Sequence, residues 1–169
     1  MSRVGTSTLY SVCVAAMVVF GTTLAVVPAQ ADGPDGPVGG DQGGVVLSEI
    51  NATRAANGCG PVAANPALTA SAERHARDML VSGVAEHTGS DGSSLVQRVT
   101  DAGYTQYAEV GEVVFWGTGS AGNPATAVTS WMNSPGHRAI ITDCGLTEAG
   151  FSAVSDGNKM TATGDFGTR

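Results

Sequence analysis

Three side chains of this chain have the types needed for chemistry near neutral pH: His87, Glu112 and His137. His137 lies in the stretch Trp131-Met-Asn-Ser-Pro-Gly-His-Arg-Ala-Ile-Ile141. Pro135 cannot continue a helix behind it and Gly136 lets the chain turn tightly, so the imidazole is expected at the mouth of a turn where a helix restarts. Such a turn holds a ring while leaving it reachable. His87 sits in a second turn-rich stretch, Glu86-His87-Thr88-Gly89-Ser90-Asp91-Gly92. Two neutral imidazoles and one carboxylate can bind a divalent cation such as Zn²⁺ and leave a position open for water or ligand. The same three groups can instead form a hydrogen-bonded His-Glu-His network that only stiffens a cleft. Both readings stay open, because no helical His-Glu-x-x-His spacing is present and the fold must bring distant loops together. Ser134, three residues before His137, raises a Ser-His pair; no nucleophile elbow or oxyanion loop surrounds it, and capping of the turn before Pro135 is the simpler expectation. His75, mid-helix between Arg74 and Ala76, is expected as a surface or half-buried residue rather than a ligand. Trp116 and Trp131 are expected in the core or on a cleft wall, and Asp91-Gly92 as a turn.

The elements that must position these groups follow a start that reads as an export signal. Arg3 is the only early positive charge, an apolar run spans Leu9 to Val27, and Ala29-x-Ala31 has the small-residue pattern of a signal peptidase site. Residues 1–31 are therefore expected to be a signal peptide. An uncleaved anchor is the competing reading, weakened by Gly21, Thr22 and Thr23 within the run. A lipoprotein would need a Cys just after the run, whereas Cys13 lies inside it.

Beyond Ala31 all fifteen acidic residues remain against seven basic ones, a net charge of about −8, with Lys159 as the single lysine. Such a surface argues against nucleic acid and against anionic membrane surfaces as partners. Export implies an oxidising compartment, and only Cys59 and Cys144 remain there. One pairing is available, and a bridge closing so long a loop stabilises the fold by about 4–5 kcal/mol on the chain-entropy estimate. Neither cysteine has the neighbouring ligands of a zinc site.

Residues 32–44 (DGPDGPVGGDQGG) have nothing to bury and are expected to be a flexible tether. From Val45, helical spacing runs through Val46, Leu47, Ile50 and Arg54 until Gly58. Asn65-Pro66 is a cap followed by Pro at the first helical position, opening a helix from Ala67 to Ser82 that Gly83 stops. Ser93 or Ser94 caps a helix from Leu95 to Ala102, before Gly103. Tyr107 to Trp116 has strand composition, with Gly111 marking a bulge or a close approach. Asn123-Pro124 opens a helix through Trp131. Two closing strands, Ala149–Val154 and Lys159–Phe166, are joined across Ser155-Asp156-Gly157-Asn158. A small single α+β domain is predicted.

Read together, several segments resemble one family: the cysteine-rich secretory, antigen 5 and pathogenesis-related (CAP or SCP) superfamily, in its short bacterial secreted branch. The matching residues are Asn51-x-x-Arg54, Asn65-Pro66-Ala67-Leu68, Ala76-x-Asp78-Met79, His87-Thr88-x-x-Asp91-Gly92, Arg98, Gly103-Tyr104, Gly111-Glu112 and Trp131-Met132-x-Ser134-Pro135-Gly136-His137-Arg138. The resemblance covers residues 45–166 and implies an α-β-α sandwich with an open cleft holding His87, Glu112 and His137. Two departures stand out. Val113 replaces the Asn of the family's Gly-Glu-Asn, and Asn133 and Ser134 stand where larger members carry a second cleft Glu.

The expectation is a secreted, non-enzymatic binding module whose cleft, lined by His87, Glu112, Ser134 and His137, takes an apolar ligand or lipid and weakly a metal such as Zn. The alternatives are a metal-dependent hydrolase using the same three groups and a structural envelope-associated protein.

Overall fold

The computed structural model describes Met1 and residues 40–169. The segment read as a signal peptide and the first part of the tether lie outside the described residues. Among the described residues no helix is long and apolar enough to cross a membrane.

The described chain runs α1 (Gly43–Ala56), β1 (Ala63–Ala64), α2 (Pro66–Ser82), α3 (Leu95–Asp101), β2 (Glu109–Thr118), a short 3₁₀ turn (Gly119–Ala121), α4 (Pro124–Asn133), α5 (Pro135–Ile141), β3 (Glu148–Ser155) and β4 (Lys159–Thr168). The strands form one sheet in the order β1-β3-β4-β2, with β1 parallel to β3 and the other pairs antiparallel. Helix α2 covers one face of β3 and β4, while α1, α4 and α5 cover the other. This is the predicted α-β-α sandwich.

Local chemistry explains the boundaries. Asn65 Oδ1 accepts from the backbone N–H of Ala67 and Leu68, and Gly83 closes α2 in the left-handed region. Ser94 and Asn123 cap α3 and α4 in the same way. The tether ends earlier than its composition suggests, because Asp41 is used as an anchor. Its carboxylate accepts from Gly43 N–H, from Ala153 N–H and from the Ser152 hydroxyl, which fixes the start of α1 against β3. The strand expected from Tyr107 begins at Glu109, since Tyr107 is used instead to stack on Tyr104. The two-residue strand β1 was not expected; Ala63 and Ala64 lack the length and branching that mark a strand in sequence.

Alternation along β4 divides the interior. Met160, Ala162 and Phe166 join Val46, Ile50, Val113, Trp131 and Phe151 in the main apolar core beneath α1, α4 and α5. Thr161 and Gly167 point the other way: the Thr161 hydroxyl donates to the Ala76 carbonyl of α2, and a Cβ on Gly167 would strike the Tyr104 ring. Helix α2 lies very close to the sheet at Gly150, where a Cβ would lie 2.0 Å from the Thr69 nitrogen. Only glycine allows α2 to lie so close to β3.

Cys59 and Cys144 form the expected disulfide, tying the end of α1 to the loop after α5. Arg54 holds the same loop. Its buried guanidinium donates to the carbonyls of Gly60, Ile141, Asp143 and Leu146. Burial lowers its pKa and the nearby Asp143 charge opposes that shift.

Candidate functional site

Strand β2, the α2–α3 loop and the start of α5 bring the three expected residues together. Glu112 is buried on β2, His87 comes from the loop and His137 stands in the first turn of α5. His87 Nδ1 lies 2.8 Å from Glu112 Oε1. A carboxylate can only accept, so Nδ1 carries the proton and the lone pair of neutral His87 is on Nε2. The two imidazole centroids are 5.8 Å apart with the rings tilted by 58°. Gly111 makes no bulge, as the β2–β4 register is unbroken; it is the close-approach alternative that applies, since a Cβ there would meet Ile140 Cγ2 at 3.0 Å. That seats α5, and hence His137, directly over β2.

Glu112 is committed on its other oxygen too. Arg98 Nη2 donates to Oε2 and also to the His87 carbonyl, while Nη1 donates to the Ser93 carbonyl. Arg98 is thus the buried cation that both neutralises Glu112 and holds the His87 loop in place. Arg98 is one of the residues that carry the family resemblance, and nothing in the sequence alone assigns it a role in the site. Its position one residue before buried Val99, on the inward stripe of a short helix, is the available signal.

His75 corrects the expectation. It is 1% exposed, not half-buried, and its Nε2 donates to the Glu86 carbonyl at 2.8 Å while lying 3.9 Å from Glu112 Oε2. It shares the inward stripe of α2 with Ala72, Ala76 and Met79, while Arg74 beside it turns outward to Asp91 and Asp101. Asp165 was missed as well. It is the direct cross-strand partner of Glu112 and therefore shares its face of the sheet, fully buried. Both its oxygens, together with Ser71 Oγ, Thr163 Oγ1 and His75 Nδ1, have no hydrogen-bond partner among the described residues.

The electrostatics follow from these placements. The hydrogen bond to Glu112 raises the His87 pKa, and partial burial opposes it. Burial lowers His75 despite the same carboxylate, and burial followed by repulsion from His87 lowers His137. Burial and the adjacent Glu112 charge push Asp165 well above its ordinary range. Arg98 is the buried cation facing both carboxylates, and it already bonds Glu112, so the rise at Asp165 is only partly offset.

Above this network lies a cavity of about 500 Å³ lined by His87, Thr88, Ser94, Leu95, Glu112, Ser134, Gly136, His137 and Ile140. Ser134 occupies the N-cap position of α5 but its side chain makes no capping bond, contrary to expectation. The residue lines the cavity instead. Trp131 is buried and donates its indole N–H to the Val114 carbonyl, which covers part of the free edge of β2. Trp116, at the other end of β2, is 56% exposed.

A resident metal finds little here. Both Glu112 oxygens are taken, by His87 and Arg98. Among the described residues no group of three or more His, Cys, Asp or Glu side chains is arranged to hold a metal ion. What remains is His87 Nε2 and the His137 ring, a two-nitrogen donor set with Glu112 behind His87 as its orienting partner.

A family model described as the cysteine-rich secretory protein family (CAP) matches residues 47–166. No curated protein matches the chain. Among solved structures, an outer surface protein from Borrelia burgdorferi is similar at TM-score 0.65 and 20% identity, covering 75% of this chain and 91% of its own. An extracellular protein containing a SCP domain from Bacillus anthracis is similar at TM-score 0.65 and 20% identity, covering 76% of this chain and 40% of its own. A cysteine-rich secretory protein from Staphylococcus aureus is similar at TM-score 0.61 and 21% identity, covering 79% of this chain and 40% of its own. This chain thus spans well under half the length of the latter two. At these identities the likeness concerns the fold.

Proposed function

Since this chain belongs to the cysteine-rich secretory protein (CAP) family, we propose that it is an exported, non-enzymatic binding module that takes an apolar ligand in the cleft above Glu112. The observation that carries this reading is the commitment of Glu112. With one oxygen on His87 and the other on Arg98, the carboxylate is a structural anchor and is not free to act as a general base. The cavity above it is walled by Leu95 and Ile140, with the two imidazoles, Glu112 and the side chains of Thr88, Ser94 and Ser134 as its polar groups. That composition suits a mostly apolar molecule carrying a small number of acceptors or hydroxyls. Export of the chain, and work in the envelope or medium, is part of the same proposal. It is supported by the Ala29-x-Ala31 pattern and by the disulfide.

The experiment is mass spectrometry of lipids and metals that copurify with the exported protein, repeated on Leu95→Asp and Ile140→Asp. A stoichiometric lipid that both substitutions remove supports the reading. A protein that carries no lipid and binds no alkyl probe removes it.

The second reading is a metal-dependent hydrolase, favoured by the His87–Glu112 pair, which orients Nε2 as a metal-binding imidazole is usually oriented. Metal-dependent turnover lost in both His87→Ala and His137→Ala would replace the first reading. Binding to isolated envelope material, with neither lipid nor turnover, would favour the structural role.

A further inference from the structure

The cleft continues past its two histidines. A second cavity, also about 500 Å³, shares His87 and His137 with the first and extends to Glu86, Phe115, Trp116 and Ser130. One trough therefore crosses both imidazoles, apolar at the Leu95 and Ile140 end and bordered by an indole and a carboxylate at the other. Neither of these groups has a partner among the described residues. Among the described residues the Glu86 carboxylate takes part in no salt bridge. No cationic side chain stacks on Trp116 either; the one such contact among the described residues is Arg169 over Tyr104.

An exposed indole face and an unpaired carboxylate in one cavity are complementary to a single kind of group, a cation with an apolar surface. The whole chain leans the same way, with fifteen acidic residues against eight basic ones. An anionic head would meet Glu86 unfavourably. A neutral glycan head would use the indole but leave the carboxylate without a counter-charge.

Resting on the apolar-ligand reading above, we infer that the cleft binds an amphiphile with an alkylammonium-type head. The head lies over Trp116 beside Glu86, and the apolar tail lies across the histidines between Leu95 and Ile140.

The test is isothermal titration of the exported protein with decyltrimethylammonium, decyl maltoside and decyl sulfate, each below its micelle-forming concentration. It is run at about pH 8.5, about two units above the ordinary imidazole value of about 6.5, to reduce any positive charge on the cleft histidines that would oppose the cation. The ammonium head should bind about tenfold more tightly than the maltoside, with the sulfate weakest. Trp116→Ala and Glu86→Gln, both at exposed positions, should each remove the preference between heads while leaving the affinity common to the tail. Equal affinities, a tighter maltoside or sulfate, or a preference that survives both substitutions overturns the inference and leaves the apolar cleft standing. Binding of none of the three probes overturns the apolar-ligand reading and this inference with it.

Discussion

His75 and His87 reach the same carboxylate, yet their pKa values are driven in opposite directions. His87 Nδ1 bonds Glu112 Oε1 at 2.8 Å, and His75 Nε2 stands 3.9 Å from Oε2. The difference is solvent: the His87 side chain is 57% exposed and that of His75 is 1% exposed. A reachable ring can accept the charge that Glu112 favours, whereas burial makes charging His75 cost more than the carboxylate returns.

NMR titration of the imidazoles should therefore find His87 above the ordinary value of about 6.5 and both His75 and His137 below it. The stability effects have opposite signs. The His87 contribution is complete below the unfolded value and lost as pH rises through the raised folded one. The His75 contribution is present above the unfolded value and lost as pH falls. Glu112→Gln should bring the His87 value down towards normal. A His87 value unmoved by that substitution would refute the hydrogen bond.

Asp165 gives a stability test of its own. Its folded pKa is raised above 3.8, so the stability present with the neutral acid declines as pH rises through the folded value. Asp165→Asn keeps the shape and removes the ionisation. Its melting temperature should match the parent near pH 3–4, about the unfolded value, and exceed it at neutral pH. A variant less stable at neutral pH would mean that the Asp165 charge is stabilising.

Arg54 and the Cys59–Cys144 bridge restrain the same loop, and their effects should couple. Arg54→Met leaves the carbonyls of Gly60, Ile141, Asp143 and Leu146 without their donor. A cost of about 3–5 kcal/mol is expected, as for other buried networks that lose their charged member. The disulfide is expected to contribute about 4–5 kcal/mol. Denaturant unfolding of the single and double variants should show non-additivity beyond about 0.5 kcal/mol. Strict additivity would show that the two restraints act on separate parts of the structure.

Zinc titration probes the two-nitrogen site. Weak binding is expected, falling as pH drops through the histidine range near about 6.5. His87→Ala and His137→Ala should each abolish it. His75→Ala should retain the metal while lowering stability by about 1–3 kcal/mol, since it orphans the Glu86 carbonyl and leaves a void. Loss of metal in His75→Ala with the fold intact would move the site beneath Glu112.

Several features of the molecule were set by short-range chemistry and are legible in the chain. Asn65-Pro66, Ser94 and Asn123-Pro124 state where helices begin, because a side-chain acceptor or a missing N–H acts within three residues. Period-two patterning with Asp156-Gly157 states the closing hairpin, and the ordered motifs state the family and with it the meeting of His87, Glu112 and His137. What the tertiary structure decided are the environments of the polar residues. His75 reads as a surface or half-buried helical residue, yet the sheet beneath α2 buries it fully. Asp165 reads as one polar residue in a strand, and only the register with β2 sets it beside Glu112 and raises its pKa. Arg98 becomes the anchor of the cleft because a short helix is folded over β2. Desolvation and charge pairing depend on which residues lie within a few ångströms, and for these groups the neighbours are separated by tens of residues along the chain.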